Sequence, residues 1–358
     1  MKNIKNLSIM DKTTTTIEAK HFDYFDGLRV VCALLIVLLH SISINFTSND
    51  LASDVWWFMN IANSFTRVGV TIFFMISGAL LLRSPKNDSI SYVFFNRVIK
   101  IFVQLAIFTL IYAYLYGVVI NSKDYTFVTL IKGFLACTIE GKLWFLYVII
   151  GLYLSTPLLR VLVTKAPRIY LWYFVGLSLL SVYLKYDLNT LLDISIKFEI
   201  PIALSYLGVY ILGYLLNTTE IEKKYRYIIY ILGILGIFFR IYTTYYFTSL
   251  EGALNIEWLK NYTFNVLFSS IALFLFAKNS NRFKQFSQFK IIKEISKLSL
   301  GIYLIHPAII RLFIYWRAWH ASSLEIYHVI SLFLIVVVVT IIIVFILSKI
   351  KYISKLIT

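Results

Sequence analysis

Cysteine is nearly absent, with two in 358 residues. That excludes a disulfide framework, and Cys32 and Cys137 lack the spacing to a histidine that a metal site requires, so no metal is expected. Charge is also scarce: Asp, Glu, Lys and Arg make up 15% of the chain, and only 18 residues are acidic against 34 basic. A soluble domain of this size carries more charge on its surface. There are five prolines, so little interrupts long helical runs. No glycine-rich phosphate loop, no HExxH, no GxSxG and no internal repeat occurs, which sets aside P-loop nucleotide hydrolysis, zincin chemistry, the nucleophile-elbow hydrolases and solenoids.

What the chain has instead is apolar residues, 59% of the total with a mean hydropathy of +0.79. They come in long runs separated by short, Lys-rich breaks, which is the pattern of an all-α polytopic membrane protein. Ten spans are predicted, over 28–44, 63–82, 98–120, 143–162, 169–184, 200–216, 227–247, 262–277, 298–316 and 327–348. With the amino terminus inside, most Lys and Arg fall on the inner segments, and the outer segments hold more acids than bases. This is the positive-inside pattern with both termini cytoplasmic. The formal net charge of +16 therefore reports topology and does not point to nucleic acid. Residues 1–26 read as a polar cytoplasmic tail, 27–349 as the membrane domain and 350–358 as a basic cytoplasmic tail. The first span follows a polar leader and has no clear cleavage site after it, so it reads as a retained helix and not a signal peptide. The stretches around Lys223 and from Lys278 to Lys297 read as inner loops. In the outer loop from Asn121 to Lys142, the Phe127–Cys137 portion suits a helix along the interface.

The first span, "FDYFDGLRVVCALLIVLLHS", carries an arginine near its start and a histidine eleven positions later. Eleven residues turn a helix three full turns plus about 20°, so Arg29 and His40 share a face about 16 Å apart along the axis. Arg29 then sits at the inner boundary and His40 beyond the midplane of a roughly 30 Å hydrocarbon layer. Each has a plain alternative: Arg29 as an interfacial anchor and His40 as a helix-packing hydrogen bond. The functional reading needs an anionic cytoplasmic substrate and a proton to abstract further out. Acyl transfer from coenzyme A meets both needs, with the nucleotide phosphates at the basic inner side and the thioester near His40, a general base suited to neutral pH.

These residues carry a resemblance. "YFDGLRVVCALLIVLLH" resembles the first-helix signature of the acyltransferase-3 family of integral membrane acyltransferases, in which an arginine precedes a histidine by eleven residues. "VTIFFMISGALLLR" (70–83), "FFNRVIK" (94–100), "LWFLYVIIGLYLSTPLLR" (143–160) and "SLGIYLIHP" (299–307) are similar to later family elements, in the family's order over about 280 residues. The "WFLYVIIGLYL" form resembles the surface polysaccharide O-acyltransferase branch. The resemblance implies acyl-CoA, in the first place acetyl-CoA, as donor substrate with no bound cofactor. It implies a glycan or lipid-linked sugar as acceptor, a place in the plasma membrane among lipid, Arg29 and His40 as catalytic residues, and Arg29, Arg97 and Lys100 as the acyl-CoA-binding set. Two departures stand out. The second basic element usually has two arginines, and here Lys100 replaces the second one. The Trp-Ser-Leu-type motif ending in glutamate, found in another branch, has "FLYVII" in its place. Glu140, Glu199 and Tyr147 are therefore the candidates to orient His40.

Other polar groups in or beside spans invite either an acceptor-binding or a structural role. Arg67 and Arg240 fall in the outer half, where a cation meets an anionic acceptor or pairs with Glu199. Arg311 is a further intramembrane cation. His306, before Pro307, either satisfies backbone groups freed by the proline or takes part in the reaction. Ser77 and Gly78 suit a backbone approach point or a packing surface. Trp56 and Trp57 suit the interfacial belt or sugar stacking. The alternatives to an enzyme are a polytopic flippase of glycan intermediates and a non-catalytic partner in polysaccharide export. The flippase would keep glycan export after the loss of His40, and the non-catalytic partner would show no acyl-CoA turnover.

Overall fold

The computed structural model describes residues 23–44, 46–47, 51–120, 123–197, 200, 206–316 and 325–357. Among these residues the chain is helical. The helices are α1 (Asp23–Ile42), α2 (Asp54–Leu81), α3 (Ile90–Val119), α4 (Phe127–Leu135), α5 (Gly141–Lys165), α6 (Arg168–Leu192) and α7 (Leu207–Thr218). They continue with α8 (Lys223–Glu251), α9 (Phe264–Asn279), α10 (Asn281–Gln288), α11 (Lys290–Tyr315), α12 (Ile326–Ser348) and α13 (Lys351–Ile357).

Nine segments among the described residues are long and apolar enough to cross a membrane, and α7 is a shorter apolar helix. Each of the ten predicted spans thus falls on a helix, with 201–205 of the sixth span outside the described residues. The side chains facing outward settle the surrounding medium. Leu158, Ile231, Phe238 and many other large apolar residues are exposed. Burial of one such side chain is worth about 1.5–3 kcal/mol, so a water-facing surface of this kind would forfeit more than a fold's net stability. The chain is a multi-pass membrane protein, and those faces meet lipid.

Boundaries differ from the sequence reading where capping decides them. The Ser89 hydroxyl accepts from the Tyr92 N–H at 3.2 Å and starts α3 eight residues before the predicted span, which puts Arg97 on the helix and not ahead of it. α2 has a break at Arg67, between Asp54–Thr66 and Val68–Leu81. The predicted loop from Lys278 to Lys297 holds α10 and the first turns of α11, and both are tied to the start of α1: Gln288 Nε2 of α10 donates to Asp23 Oδ2 at 3.0 Å, and Lys293 of α11 pairs with Asp23 at 3.3 Å. α4 forms in the expected stretch, capped by Thr126 and Thr129, with Phe127, Val128, Ile131 and Leu135 exposed along it. Residues 351–357 form a helix with Ile357 buried, and Gln104 Nε2 donates to Leu356 O at 2.8 Å.

Small residues set the closest helix crossing. A Cβ on Gly78 would lie 1.7 Å from Tyr210 O, and one on Gly213 would lie 2.0 Å from Met75 O, so α2 and α7 touch backbone to backbone. Gly78 therefore serves packing, while its neighbour Ser77 faces a cavity. Trp56 is buried, and its Nε1 donates to Thr47 O at 2.9 Å, so it is a core residue and not a belt residue.

Candidate functional site

α1 and α11 pack side by side and bring together two histidines 266 positions apart. His40 Nδ1 lies 2.7 Å from His306 Nε2, and the rings are nearly parallel, at 3° with centroids 5.0 Å apart. On its other side His306 Nδ1 lies 2.9 Å from Ile302 O. A carbonyl oxygen only accepts, so Nδ1 of His306 carries a proton, and in the neutral ring its Nε2 is then an acceptor. His40 Nδ1–H must donate to it. The chain of bonds leaves His40 Nε2 with its lone pair and no partner among the described residues. His306 is fully buried and His40 keeps accessible surface, so the free nitrogen belongs to the ring that a substrate can reach. Pro307 cannot donate within α11, and side chains serve carbonyls in that stretch: His306 at Ile302 O and Tyr112 OH at Leu304 O, 2.8 Å. His306 thus anchors on Ile302 O, one turn back on its own helix, and fixes the tautomer of His40.

Below this pair, toward the amino-terminal ends of α1 and α11, lies a cavity of about 650 Å³. Arg29, Arg97, Lys100 and Lys297 line it, together with Asn96, Ser296 and Glu294, whose carboxylate pairs with Lys297 at 2.8 Å. Arg97 sits in a π turn, Phe94–Val98, and its buried Nε has no hydrogen-bond partner. Arg29 is held from behind. Its Nη1 lies 4.0 Å from Asp26 Oδ1, and that buried carboxylate also accepts from Ser296 Oγ at 2.7 Å. The other walls are Ile36, Phe73, Ser77, Phe145, Tyr153 and Tyr303. Ile36 precedes His40 by four residues and Tyr303 precedes His306 by three, so the cavity reaches within about 4.5–6 Å of the histidines along the helix axes. Tyr303 OH donates to Lys142 O, and its ring centroid is 6.1 Å from that of His306. Asp26, Ser296, Tyr153 and Lys297 went unread in the sequence. Asp26 is legible only once its distance from Ser296 is known, since three residues before an arginine is an ordinary place for an acid.

The remaining residues separate into two groups. Arg240 is 0% exposed and bonds only neutral acceptors: Ser64 O from Nε and Nη2 at 3.0 and 2.8 Å, and Asn265 O, Asn265 Oδ1 and Ser269 Oγ from Nη1 at 2.8–3.2 Å. It ties α2, α8 and α9 together. Arg67 donates from Nε to Asn63 Oδ1 at 2.7 Å. Glu140 accepts from Tyr116 OH and from Lys142 N and Nζ at 3.0 and 3.2 Å. Burial pushes its carboxyl up, and the Lys142 ammonium and these hydrogen bonds outweigh that and hold it below the ordinary carboxylate range. Tyr147 OH donates to Phe134 O. Glu140 and Tyr147 are thus engaged elsewhere, and the group bonded to His40 is His306. Glu199 lies outside the described residues. Arg311 is exposed and lies over the Tyr116 ring, 5.9 Å from its centroid.

The chain belongs to the acyltransferase-3 family, whose acyltransferase domain model matches residues 22–349. No curated protein and no solved structure matches it.

Proposed function

We propose that this membrane acyltransferase is an acyl-CoA-dependent O-acyltransferase, in the first place an O-acetyltransferase. Its acceptor is a hydroxyl of a cell-envelope glycan or of the lipid-linked precursor of that glycan, and it works in the plasma membrane. The observation that carries this reading is one cavity lined by Arg29, Arg97 and Lys100, beside a Lys297 already paired with Glu294, and leading toward a histidine whose reactive nitrogen is free. A diphosphate and a further phosphate suit three cations of this kind. A long, narrow arm suits the apolar walls between Arg29 and His40.

The reaction follows from the tautomer. His40 Nε2 takes the proton of the acceptor hydroxyl as its oxygen attacks the thioester carbonyl. The new C–O bond forms, the C–S bond breaks, and the departing thiolate takes the proton from His40. His40 Nδ1–H stays on His306 Nε2 throughout, which keeps Nε2 pointed at the substrate. Arg29 holds the donor and raises the local positive charge, and Asp26 holds Arg29.

Mass spectrometry of surface glycans from cells with and without the gene tests the assignment. The expected result is a mass shift of one acyl group that complementation by His40→Ala does not restore. Identical glycans in the two strains would contradict it.

A further inference from the structure

Residues 350–358 read in the sequence as a basic tail beyond the last span. In the structure that segment turns back into the bundle. α12 ends at Ser348, a turn follows, and α13 (Lys351–Ile357) returns alongside the stretch that precedes it. Gly301 of α11 marks how far it returns. A Cβ there would lie 2.6 Å from Val344 Cγ1, 3.0 Å from Ile357 O and 3.2 Å from Ile357 Cβ, so the end of α13 sits level with Val344, one turn before the end of α12. With no side chain on Gly301, Ile357 occupies that space and is 1% exposed. On its other side α13 meets α3. Gln104 is 0% exposed, and its Nε2 donates to Leu356 O at 2.8 Å. The last carbonyls of a helix have no partner within it, so this buried amide acts as a cap supplied by a neighbouring helix.

Both anchors lie one turn beyond the cations of the large cavity. Gln104 follows Lys100 by four residues on α3, and Gly301 follows Lys297 by four on α11. α13 therefore bridges the two helices that carry Arg97, Lys100 and Lys297. Its Ser354, with Ser348 at the end of α12, lines that cavity, whereas Lys351, Tyr352 and Lys355 are exposed and take no part in the lining. A seven-residue helix is too short to hold its shape alone in water, so α13 depends on being docked. A ligand that touches the docked helix then favours docking, and docking in turn favours the ligand. We propose that α13 is an element of the donor site, seated by Ile357 against Gly301, and that it retains CoA bound to Arg29, Arg97 and Lys100. The identity of the ligand rests on the proposed function, whereas the place of α13 in the cavity wall rests only on the packing.

The test uses the full chain in nanodiscs with acetyl-CoA as the probe, which has no free thiol to consume a maleimide. Ser354→Cys and Asn96→Cys, both at cavity-lining positions, and Tyr352→Cys, at a position 76% exposed, are modified by a maleimide and followed by peptide mass spectrometry. With acetyl-CoA filling about nine-tenths of the sites, modification of Ser354→Cys and Asn96→Cys should slow about tenfold, and that of Tyr352→Cys should not change. A second arm measures affinity. Ile357→Asp places a carboxylate in the buried seat and releases α13, which should raise the Kd for acetyl-CoA about tenfold, the worth of one hydrogen bond to a charged group. Ile357→Val keeps the seat filled and should stay within about twofold of wild type. Protection of Asn96→Cys without protection of Ser354→Cys would overturn the proposal and leave the proposed donor in place. Wild-type affinity in Ile357→Asp would do the same, and if that variant does not reach the membrane the protection arm decides alone. A wild-type chain that binds no acetyl-CoA would remove the proposed donor and the role of α13 together.

Discussion

Two imidazoles lie 2.7 Å apart, the second anchored on Ile302 O, and in the proposed reaction this contact directs His40 Nε2 as the base. His306 acts through His40, so its removal should change the chemical step and not donor binding. His306→Ala is expected to lower kcat about tenfold or more, since the tautomer is no longer held, with KM for acyl-CoA unchanged. His306→Gln, whose amide oxygen can accept from His40 Nδ1–H, should recover part of that loss. A rise in donor KM as the main effect would instead make His306 part of the cavity wall. At the other end, Arg29→Gln should raise donor KM more than Arg29→Lys does, because lysine keeps the charge and loses only the fork. Equal effects would reduce Arg29 to an anchor. Arg29 and His40 stood out by their spacing along one span, and Arg97 and Lys100 entered only through the family resemblance; the structure places Arg29, Arg97 and Lys100 on one cavity. The partner of His40 was not legible, because a contact between residues 40 and 306 depends on how α1 and α11 pack, and a histidine beside a proline has an adequate local explanation.

At the scale of helices, hydropathy located all ten apolar segments because each lipid-facing stretch must satisfy its own backbone. Capping and short amphipathic pieces escaped it: the early start of α3 at Ser89, the break at Arg67, and α10 and α13, whose charged sequences read as loop and tail. The close crossing of α2 and α7 yields a prediction of its own. Gly213→Ala places a methyl 2.0 Å from Met75 O and should cost about 1–3 kcal/mol, seen as a lower melting temperature in detergent with donor KM unchanged. Arg240→Met should also destabilise, by about 1–3 kcal/mol for each buried acceptor left unmet, because the guanidinium serves four neutral oxygens and no carboxylate. Unchanged stability in Arg240→Met, together with lost activity, would move this residue from the scaffold into the reaction.

For the molecule as a whole, the positive-inside expectation would put the helix ends that carry the cations of the proposed donor cavity in the cytoplasm, with His40 toward the other side. Under the proposed function the protein is a conduit for acyl groups, with CoA staying inside and the product formed beyond the midplane. Sealed inside-out vesicles measure this directly. With acyl-labelled CoA added to the bulk, wild-type protein should consume it and place the label on glycan in the lumen, and right-side-out vesicles should be inactive until CoA is loaded inside. His40→Ala, present in the membrane at the wild-type level, should lose about 10²–10⁴ in rate under the same conditions. Label appearing on glycan at the wild-type rate in the His40→Ala vesicles would contradict the account at its centre.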